Sequence, residues 1–538
     1  MAQGQVVLQS VIYKAKAYPK KKALIVYADT VSEVQAINPK AVKIKDLPEG
    51  FAVALPHTVD AVRELEARGV RDVPHVMNTY YPFPGKYKPF HAQRVTADFA
   101  SMHERCFILN SMGLGKTMTS LWAFDFMRQQ GLVHNVLVIC PLSVMERTWA
   151  DEVYNSFPQY EVKVLYGTAA KRKELLAEKA DIYVINTDGA GIIASELHKR
   201  DDIDLVIIDE VALFRNHGTS RWKVLNTICN QQCKRRVWGL TGSPTPNAPT
   251  DAWAQVKLVN PKHPMLPPYF RRFQDMTMYK VSLYKWEAKP TAVAIVHDVM
   301  QPSVRFSIDE QLDLPEQVVT QRTIPLTPEQ EAAYKTMMTQ LVFEYQHEQV
   351  SAQNDAAKAQ KLLQICCGTA YGENEALVDL PINNRLELLK ETIDESEGKV
   401  LVFVPFVAAL NRVATYLRDH GIETAIVDGS TSKGERDETF AKFQGTESIR
   451  VIVANPNTMS HGLTLTKAST IVWFGPTYKN ETYQQACARI HRPGQKLTTV
   501  IVQIVSSPLE ALIYKRLAGK QRLQGTLLDL VAAESQKL

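Results

Sequence analysis

From residue 91 the chain settles into a repeating rhythm of apolar strand, turn and helix. "CFILN" precedes "SMGLGKT" and a helical "MTSLWAFDFMRQQG"; "NVLVICP", "DIYVINT", "DLVIIDE" and "RRVWGLTG" then recur with helical segments between most of them. The rhythm restarts near residue 399 with "KVLVFVP", "ETAIVDG", "RVIVANP", "STIVWFG" and "TVIVQIV". Near-continuous apolar strands are buried on both faces, which predicts parallel sheets covered by helices. Before the first lobe, "ALIVYA", "AVKI" and "FAVAL" surround a helical "TVDAVRELEARG", and "YYPFPGKYKPF" at 80–90 reads as irregular linker. Between the lobes, 263–384 is rich in Pro, aromatics and polar helix formers such as "TPEQEAAYKTMMTQLVFEYQHEQ". The expected organisation is an accessory α+β module at 1–80, a first α/β lobe at 81–262, a helical insertion and linker at 263–384, and a second α/β lobe at 385–538.

Composition narrows this picture only slightly. The 538 residues suit three or four domains at roughly 150 residues each. An apolar fraction of 45% excludes wholesale disorder. No apolar run approaches the roughly 18–20 residues that cross a bilayer, and "MAQGQVVLQS" lacks the basic-then-apolar pattern of a leader. A soluble intracellular protein is the expectation. A net charge of +5 is small for this length, so any nucleic-acid contact is confined to a groove. Seven scattered cysteines, with no matching His/Cys set, predict free thiols and no structural zinc.

Three segments carry chemistry. In "NSMGLGKT", residues 110–117, a turn between strand and helix offers backbone N–H groups to a phosphate. Gly113 and Gly115 let Met112 and Leu114 approach the anion through their backbone. Lys116 suits the β/γ-phosphates and Thr117 suits Mg²⁺. Asn110 stands where the strict phosphate-loop pattern has glycine. In "DLVIIDE", residues 204–210, a buried strand ends in two acids, Asp209 for Mg²⁺ through water and Glu210 for the attacking water. In "QQACARIHRPGQ", residues 484–495, Arg489 and Arg492 are three apart, the spacing of one helical face. A guanidinium is the permanently charged planar donor suited to a phosphoryl group in transfer.

Together with "PLSVMERTWADE" (141–152), "IIDEVALFRNHGTSRWKVL" (207–225), "LTGSPTPN" (240–247), "LDLPEQVVTQRTIPLTPEQEAAY" (312–334), "VDGSTSKGERDETFAKFQ" (427–444), "MSHGLTLTKAS" (459–469) and "RIHRPGQ" (489–495), these segments resemble the Swi/Snf-type ATPases of helicase superfamily two. The resemblance spans roughly 85–500. It implies two RecA-like lobes with a catalytic cleft between them, ATP and Mg²⁺ as cofactors, and DNA as partner. It implies adenine recognition by Gln93, and coupling of the γ-phosphate site to the nucleic-acid groove by Thr241 and Ser243. It brings Gln485, Arg489 and Arg492 across from the second lobe. It also implies DNA-backbone contacts at Pro141, Ser143, Asn186, Thr187, Gly429, Ser430, Thr431, Gly462 and Thr464.

Three departures qualify the resemblance. Val211-Ala212 replace an Ala/Ser-His pair, which puts the link to "LTGSP" in doubt. Thr464 replaces Asn, and "TYKNE" (477–481) replaces Trp-Asn-Pro. A compact chain without chromatin-reading modules resembles phage or bacterial members, which implies the cytoplasm of a bacterium or of a phage-infected host. Residues 51–94 faintly resemble the region before the motor in annealing helicases, where a small module engages branched DNA. The expected activity is ATP-driven movement along DNA, with remodelling or annealing of forks and branches in replication, recombination or repair. The alternatives are a strand-separating helicase on DNA or RNA, and a motor-fold factor that binds RNA polymerase or a replication, recombination or transcription protein through residues 1–80.

Overall fold

A computed structural model of the chain describes residues 12–230, 235–281, 286–307, 314–346, 352–371, 377–445, 449–459 and 465–519. Strands β1 (Ile12–Tyr18), β2 (Ala23–Ala28), β3 (Val42–Leu47) and β4 (Gly50–Pro56) form an antiparallel sheet in the order β1-β2-β4-β3. Period-two burial explains why it packs on one side: Leu24, Val26 and Ala28 are buried, while Ile25 and Tyr27 between them are half-exposed. The expected helix follows at Val59–Ala67, started by the Thr58 side chain, which accepts from the Ala61 N–H.

This module is less separate than its sequence rhythm suggests. One buried cluster runs from Ile12 through Leu65 and Trp122 to Leu240. The helical side of the sheet thus packs into the same core as the first lobe. Arg63 donates to the carbonyls of Ser101 and Met102, both at 2.9 Å, satisfying the end of the helix His91–Met102. The stretch 81–90 is irregular, as expected, yet it is anchored. Tyr81 and Phe83 are buried, the Tyr81 hydroxyl donates to Asp125, and Phe83 meets Trp122 edge-on at 5.6 Å.

His75 bridges module and lobe, with Nδ1 2.5 Å from Asp98 and Nε2 2.8 Å from Glu66. The Asp98 hydrogen bond raises its imidazole to about 9, against the opposing effect of burial. A raised folded-state value stabilises below the unfolded value of about 6.5, and that stability is lost as pH climbs towards 9. The Tm difference between wild type and His75→Gln should therefore be widest below pH ~6.5 and shrink as pH rises through ~9. A gap constant from pH 6 to 10 would show that the imidazolium does not hold this junction.

The first lobe is built on β5 (Arg105–Ile108), β6 (Asn135–Cys140), β7 (Val162–Val164), β8 (Ile182–Asn186), β9 (Ile203–Asp209) and β10 (Arg236–Leu240). After the antiparallel pair β11 (Met278–Lys280) and β12 (Trp286–Ala288), β13 (Ser303–Val304) joins its edge. The order is β13-β5-β10-β9-β6-β8-β7, every neighbouring pair parallel.

β14 (Gln317–Thr323) belongs to the second sheet, with β17 (Lys399–Phe403), β18 (Thr424–Val427), β19 (Val451–Ala454), β20 (Ala468–Trp473) and β21 (Thr499–Val505). Its order is β14-β21-β20-β17-β19-β18, again parallel throughout. A small pair, β15 (Thr369–Tyr371) and β16 (Leu377–Asp379), lies outside both sheets. The 263–384 segment thus does more than link the lobes: it supplies an edge strand to each sheet. Its helices Pro328–Gln346 and Ala352–Cys366 bury Tyr334, Leu341, Leu362 and Cys366 in the second lobe's core. That core also holds an ion pair, Arg385 to Glu510 at 2.7 Å, with Arg385 donating to the carbonyls of Phe474, Cys366 and Ile504. Such a pair ties helices to strands because every charged atom has a partner.

The described cysteines are buried free thiols. No helix among the described residues is long and apolar enough to cross a membrane.

Candidate active site

Parallel sheets gather functional groups at the carboxyl ends of their strands. In the first lobe, the phosphate loop follows β5, Pro141 follows β6, Asn186 ends β8, Asp209 ends β9, and Thr241 follows β10. In the loop, Gly113 and Gly115 have φ of 87° and 66°, a region open to glycine. A Cβ on Gly115 would collide with the Gln93 amide. Asn110 is fully buried. Its Nδ2 donates to Thr96 Oγ1 at 2.8 Å and its Oδ1 accepts from the Phe306 N–H at 2.9 Å. An amide here fastens the loop to two neighbouring segments, which glycine at this position would not do.

Lys116 opens the helix Lys116–Gln129, and its Nζ donates to the carbonyls of Asn110 and Ser111 at 2.9 and 3.4 Å. Thr117 is half-buried beside it. Gln93 packs on the loop, donating to the Leu114 carbonyl at 3.4 Å and accepting from the Phe90 N–H at 3.3 Å.

The two acids sit differently. Burial pushes the Asp209 carboxyl up, opposed by a 3.0 Å hydrogen bond from Trp149 Nε1 and by Lys116. Glu210 leaves the strand with φ 60° and ψ 55°, uncommon for a residue with a Cβ and a mark of local strain. Burial pushes its carboxyl up to about 7, against Lys116 and a 2.5 Å hydrogen bond from Thr241 Oγ1. Thr241 also accepts from the Ser243 N–H at 3.2 Å. Gly242 lies so close to Met112 that a Cβ would stand 3.2 Å from its Cγ. Val211 and Ala212 are buried core residues, and the link to "LTGSP" doubted from their identity runs directly from Glu210 to Thr241.

From the second lobe come Gln485, Arg489 and Arg492. Their helix, Asn480–Cys487, ends earlier than the spacing suggested, so the arginines occupy a turn and not one helical face. The turn is held by Leu465 N–H to the Arg489 carbonyl at 3.0 Å and by Arg492 Nε to the Ala488 carbonyl at 2.8 Å. Gln485 is buried, donating to Glu481 at 3.3 Å. Burial lowers the Lys116 ammonium, and the Arg492 guanidinium lowers it further from across the cleft. Arg489 is held well below its ordinary value by burial and by Arg492, and burial brings Arg492 down to about 10. Arg492 of the second lobe and Lys116 of the first thus act on one another beside Asp209 and Glu210, and an anionic group between them would relieve their repulsion.

For a metal, Thr117 and Asp209 offer hydroxyl and carboxylate oxygens, the hard donors Mg²⁺ takes. Among the described residues no group of three or more His, Cys, Asp or Glu is arranged to hold a metal ion. Nucleotide phosphates and water would supply the remaining ligands, as is usual for Mg²⁺.

Of the suggested DNA-contact residues, Pro141, Ser143, Asn186 and Thr187 lie at strand ends of the first sheet, and Gly429–Thr431 follow β18 of the second. Ser143 Oγ is buried and has no hydrogen bond among the described residues. Asn186 Oδ1 already accepts from Arg172 at 3.2 Å, and Thr187 is half-buried beside it. Gly429 and Ser430 are exposed, and Asp428 holds the turn by accepting from the Ser430 and Thr431 N–H groups at 2.9 and 3.2 Å. Gly462 and Thr464 lie outside the described residues.

Several participants were not singled out from sequence: Trp149 on Asp209, and two contacts between lobes. Arg147 Nη2 reaches Asp437 at 2.8 Å, and Arg215 reaches Glu481 at 3.5 Å. Trp149 and Arg147 stood inside a quoted motif, but a tryptophan N–H and a surface arginine carry no spacing signal.

Comparison with known proteins gives a consistent assignment. The SNF2-related domain matches residues 87–371, and the helicase conserved C-terminal domain matches 384–494. An ATP-dependent helicase of Mycoplasma pneumoniae is 24% identical over 77% of this chain and 39% of its own length. Protein p41 of Acyrthosiphon pisum secondary endosymbiont phage 1 is 25% identical over 78% of this chain and 93% of its own length. The ISWI chromatin-remodeling complex ATPase ISW1 of Saccharomyces cerevisiae is 24% identical, covering 83% and 41%. The chain thus spans about two fifths of the Mycoplasma and yeast relatives. Among solved structures, the Sulfolobus solfataricus SWI2/SNF2 ATPase core in complex with dsDNA matches 85% of this chain and 96% of that one, at 22% identity and a TM-score of 0.39.

Proposed function

The chain belongs to the SNF2-related family, the ATPase core of helicases and translocases, and from that premise we propose that it hydrolyses ATP to move along duplex DNA and to remodel forks or branches. The observation that carries this reading is that Arg492 of the second lobe acts on Lys116 of the first beside Asp209 and Glu210, with the lobes in contact nearby through Arg215 and Glu481 at 3.5 Å.

In this reading the backbone of Met112–Gly115 cradles the phosphates, Lys116 moves off the loop carbonyls onto the β/γ-phosphates, and Gln93 exchanges a backbone bond for adenine. Thr117 and Asp209 would hold Mg²⁺, which would supply positive charge to offset that of the leaving group. Glu210 orients the attacking water and takes its proton. Thr241 and Ser243 set Glu210 against the loop. Gln485, Arg489 and Arg492 complete the site when the lobes close.

Pro141, Ser143, Asn186, Thr187 and Gly429–Thr431, with Gly462 and Thr464, contact the phosphate backbone of DNA held across both lobes. The amino-terminal sheet carries the branch contact. Lys14, Lys16, Lys20, Lys21, Lys22, Lys40, Lys43 and Lys45 are all exposed on its strands and connections, and they are every lysine of residues 12–80. Because the module shares its core with the first lobe, surface substitution tests this contact better than deletion.

ATP turnover measured against single strands, blunt duplex, forks, four-way junctions and RNA tests the reading. Duplex and forked DNA should stimulate most, with little sequence preference and with affinity falling steeply as salt rises. Lys14→Glu with Lys16→Glu and Lys45→Glu should lower the fork-to-duplex ratio. Strong preference for one base sequence, or for RNA, would count against a duplex-tracking motor. An unchanged ratio would remove the sheet from the DNA contact.

A further inference from the structure

The helix that follows β6 contains an irregularity. Leu142–Val144 form a 3₁₀ turn and Met145–Ala150 a π-helical turn before the chain continues as α-helix at Asp151–Ser156. π-Turns are rare and concentrate at functional sites. Arg147 and Trp149 are two apart on this turn, and residues so spaced do not share a face. They look in different directions, and each holds something. Trp149 is fully buried and gives its indole N–H to Asp209 Oδ2 at 3.0 Å. Arg147 points outward and grips Asp437 Oδ2 of the second lobe through Nε at 3.0 Å and Nη2 at 2.8 Å. Asp437 lies on the helix Lys433–Gln444, which begins directly after the Gly429–Thr431 turn. The same short segment therefore touches the second lobe on one side and the carboxylate that ends β9 on the other.

We propose that Trp149 is a positioning residue that connects closure of the lobes to the metal carboxylate. When the lobes close, Arg147 and Asp437 meet and fix the π-turn. The fixed turn holds the indole N–H on one oxygen of Asp209, which leaves the other oxygen turned to the metal. With the lobes apart the turn loses its outer anchor, and Asp209 is presented less well. Mg²⁺ affinity is then a readout of closure. The inference rests on reading Asp209 as the carboxylate for Mg²⁺, and it adds the route by which the second lobe reaches that carboxylate.

The test is calorimetric titration of a non-hydrolysable ATP analogue, in EDTA and in Mg²⁺, with saturating duplex DNA. The ratio of the two affinities is the factor by which metal tightens the nucleotide. Outer-shell partners of metal ligands typically contribute roughly 10–100-fold, so Trp149→Phe should lower that factor by about tenfold while affinity in EDTA holds. Arg147→Met, on a half-exposed surface side chain that does not endanger folding, should lower it in the same direction by a smaller amount, as should Asp437→Asn. Arg147→Met combined with Trp149→Phe should lower it no further than Trp149→Phe alone, because both act on one element. A purely structural tryptophan would weaken binding equally in EDTA and Mg²⁺. An unchanged factor in folded Trp149→Phe, or in Arg147→Met should Trp149→Phe not fold, would overturn the proposal, as would losses that multiply in the double variant. If wild type itself shows no Mg²⁺ effect, the metal reading of Asp209 fails first and the link fails with it.

Discussion

Glu210→Gln should lower ATP turnover by on the order of 10²–10⁴-fold, the range a positioned general base contributes, and leave nucleotide affinity close to wild type. The substitution keeps the size of the side chain and the oxygen that accepts from Thr241, so the 2.5 Å hydrogen bond and the strained backbone at φ 60° have no reason to relax. What disappears is the basic lone pair. Burial sets that carboxyl at about 7 before any ligand binds, close to the value that serves proton transfer at neutral pH. A variant that binds ATP but cannot complete hydrolysis should accumulate in the closed, DNA-bound form. In kinetic terms kcat falls and KM changes little, the pattern of an interaction made in the transition state alone. Steady-state turnover beside analogue affinity checks it. A fall of less than tenfold would place the base elsewhere.

Arg492→Ala should be nearly as severe, by a different route. The guanidinium belongs to the second lobe, yet it bears on Lys116 in the first. Burial brings it down to about 10, and it adds to the burial that depresses the Lys116 ammonium, so the two cations repel across the cleft. ATP phosphates would relieve that repulsion. DNA lying across both lobes would favour the closed form by population shift. Arginine fingers on related nucleotide motors contribute on the order of 10³–10⁵ in rate. Arg492→Ala is therefore expected to lose most of its DNA-stimulated turnover while ATP and DNA affinities hold. If it loses ATP affinity in proportion to rate, Arg492 binds the ground state. If it keeps full stimulation, it has no part in the chemistry.

Much of this was legible from local pattern. The strand rhythm gave both sheets, because a strand buried on two faces is apolar along its buried run, as in "VLVIC" and "LVII". The phosphate loop and the acidic pair were legible because their chemistry depends on adjacent residues. What the sequence hid depends on packing between distant segments. β13 is two residues long and β14, QVVTQRT, has only two apolar residues, so neither showed as part of a sheet, and both fell within the expected linker. The turn at Ala488–Arg492 kept the i,i+3 spacing of a helix but is held by a backbone bond from Leu465, which no local rule anticipates. The shared core of residues 12–240, Trp149 on Asp209 and the Arg147–Asp437 contact are likewise products of tertiary placement.

The central claim is that DNA bound across two lobes completes a cleft that neither lobe makes alone. The most direct measurement is ATP turnover by the wild-type protein with and without saturating duplex DNA of arbitrary sequence. The account predicts slow hydrolysis without DNA and a many-fold increase with it, at little change in KM for ATP. Equal turnover in both conditions would contradict it.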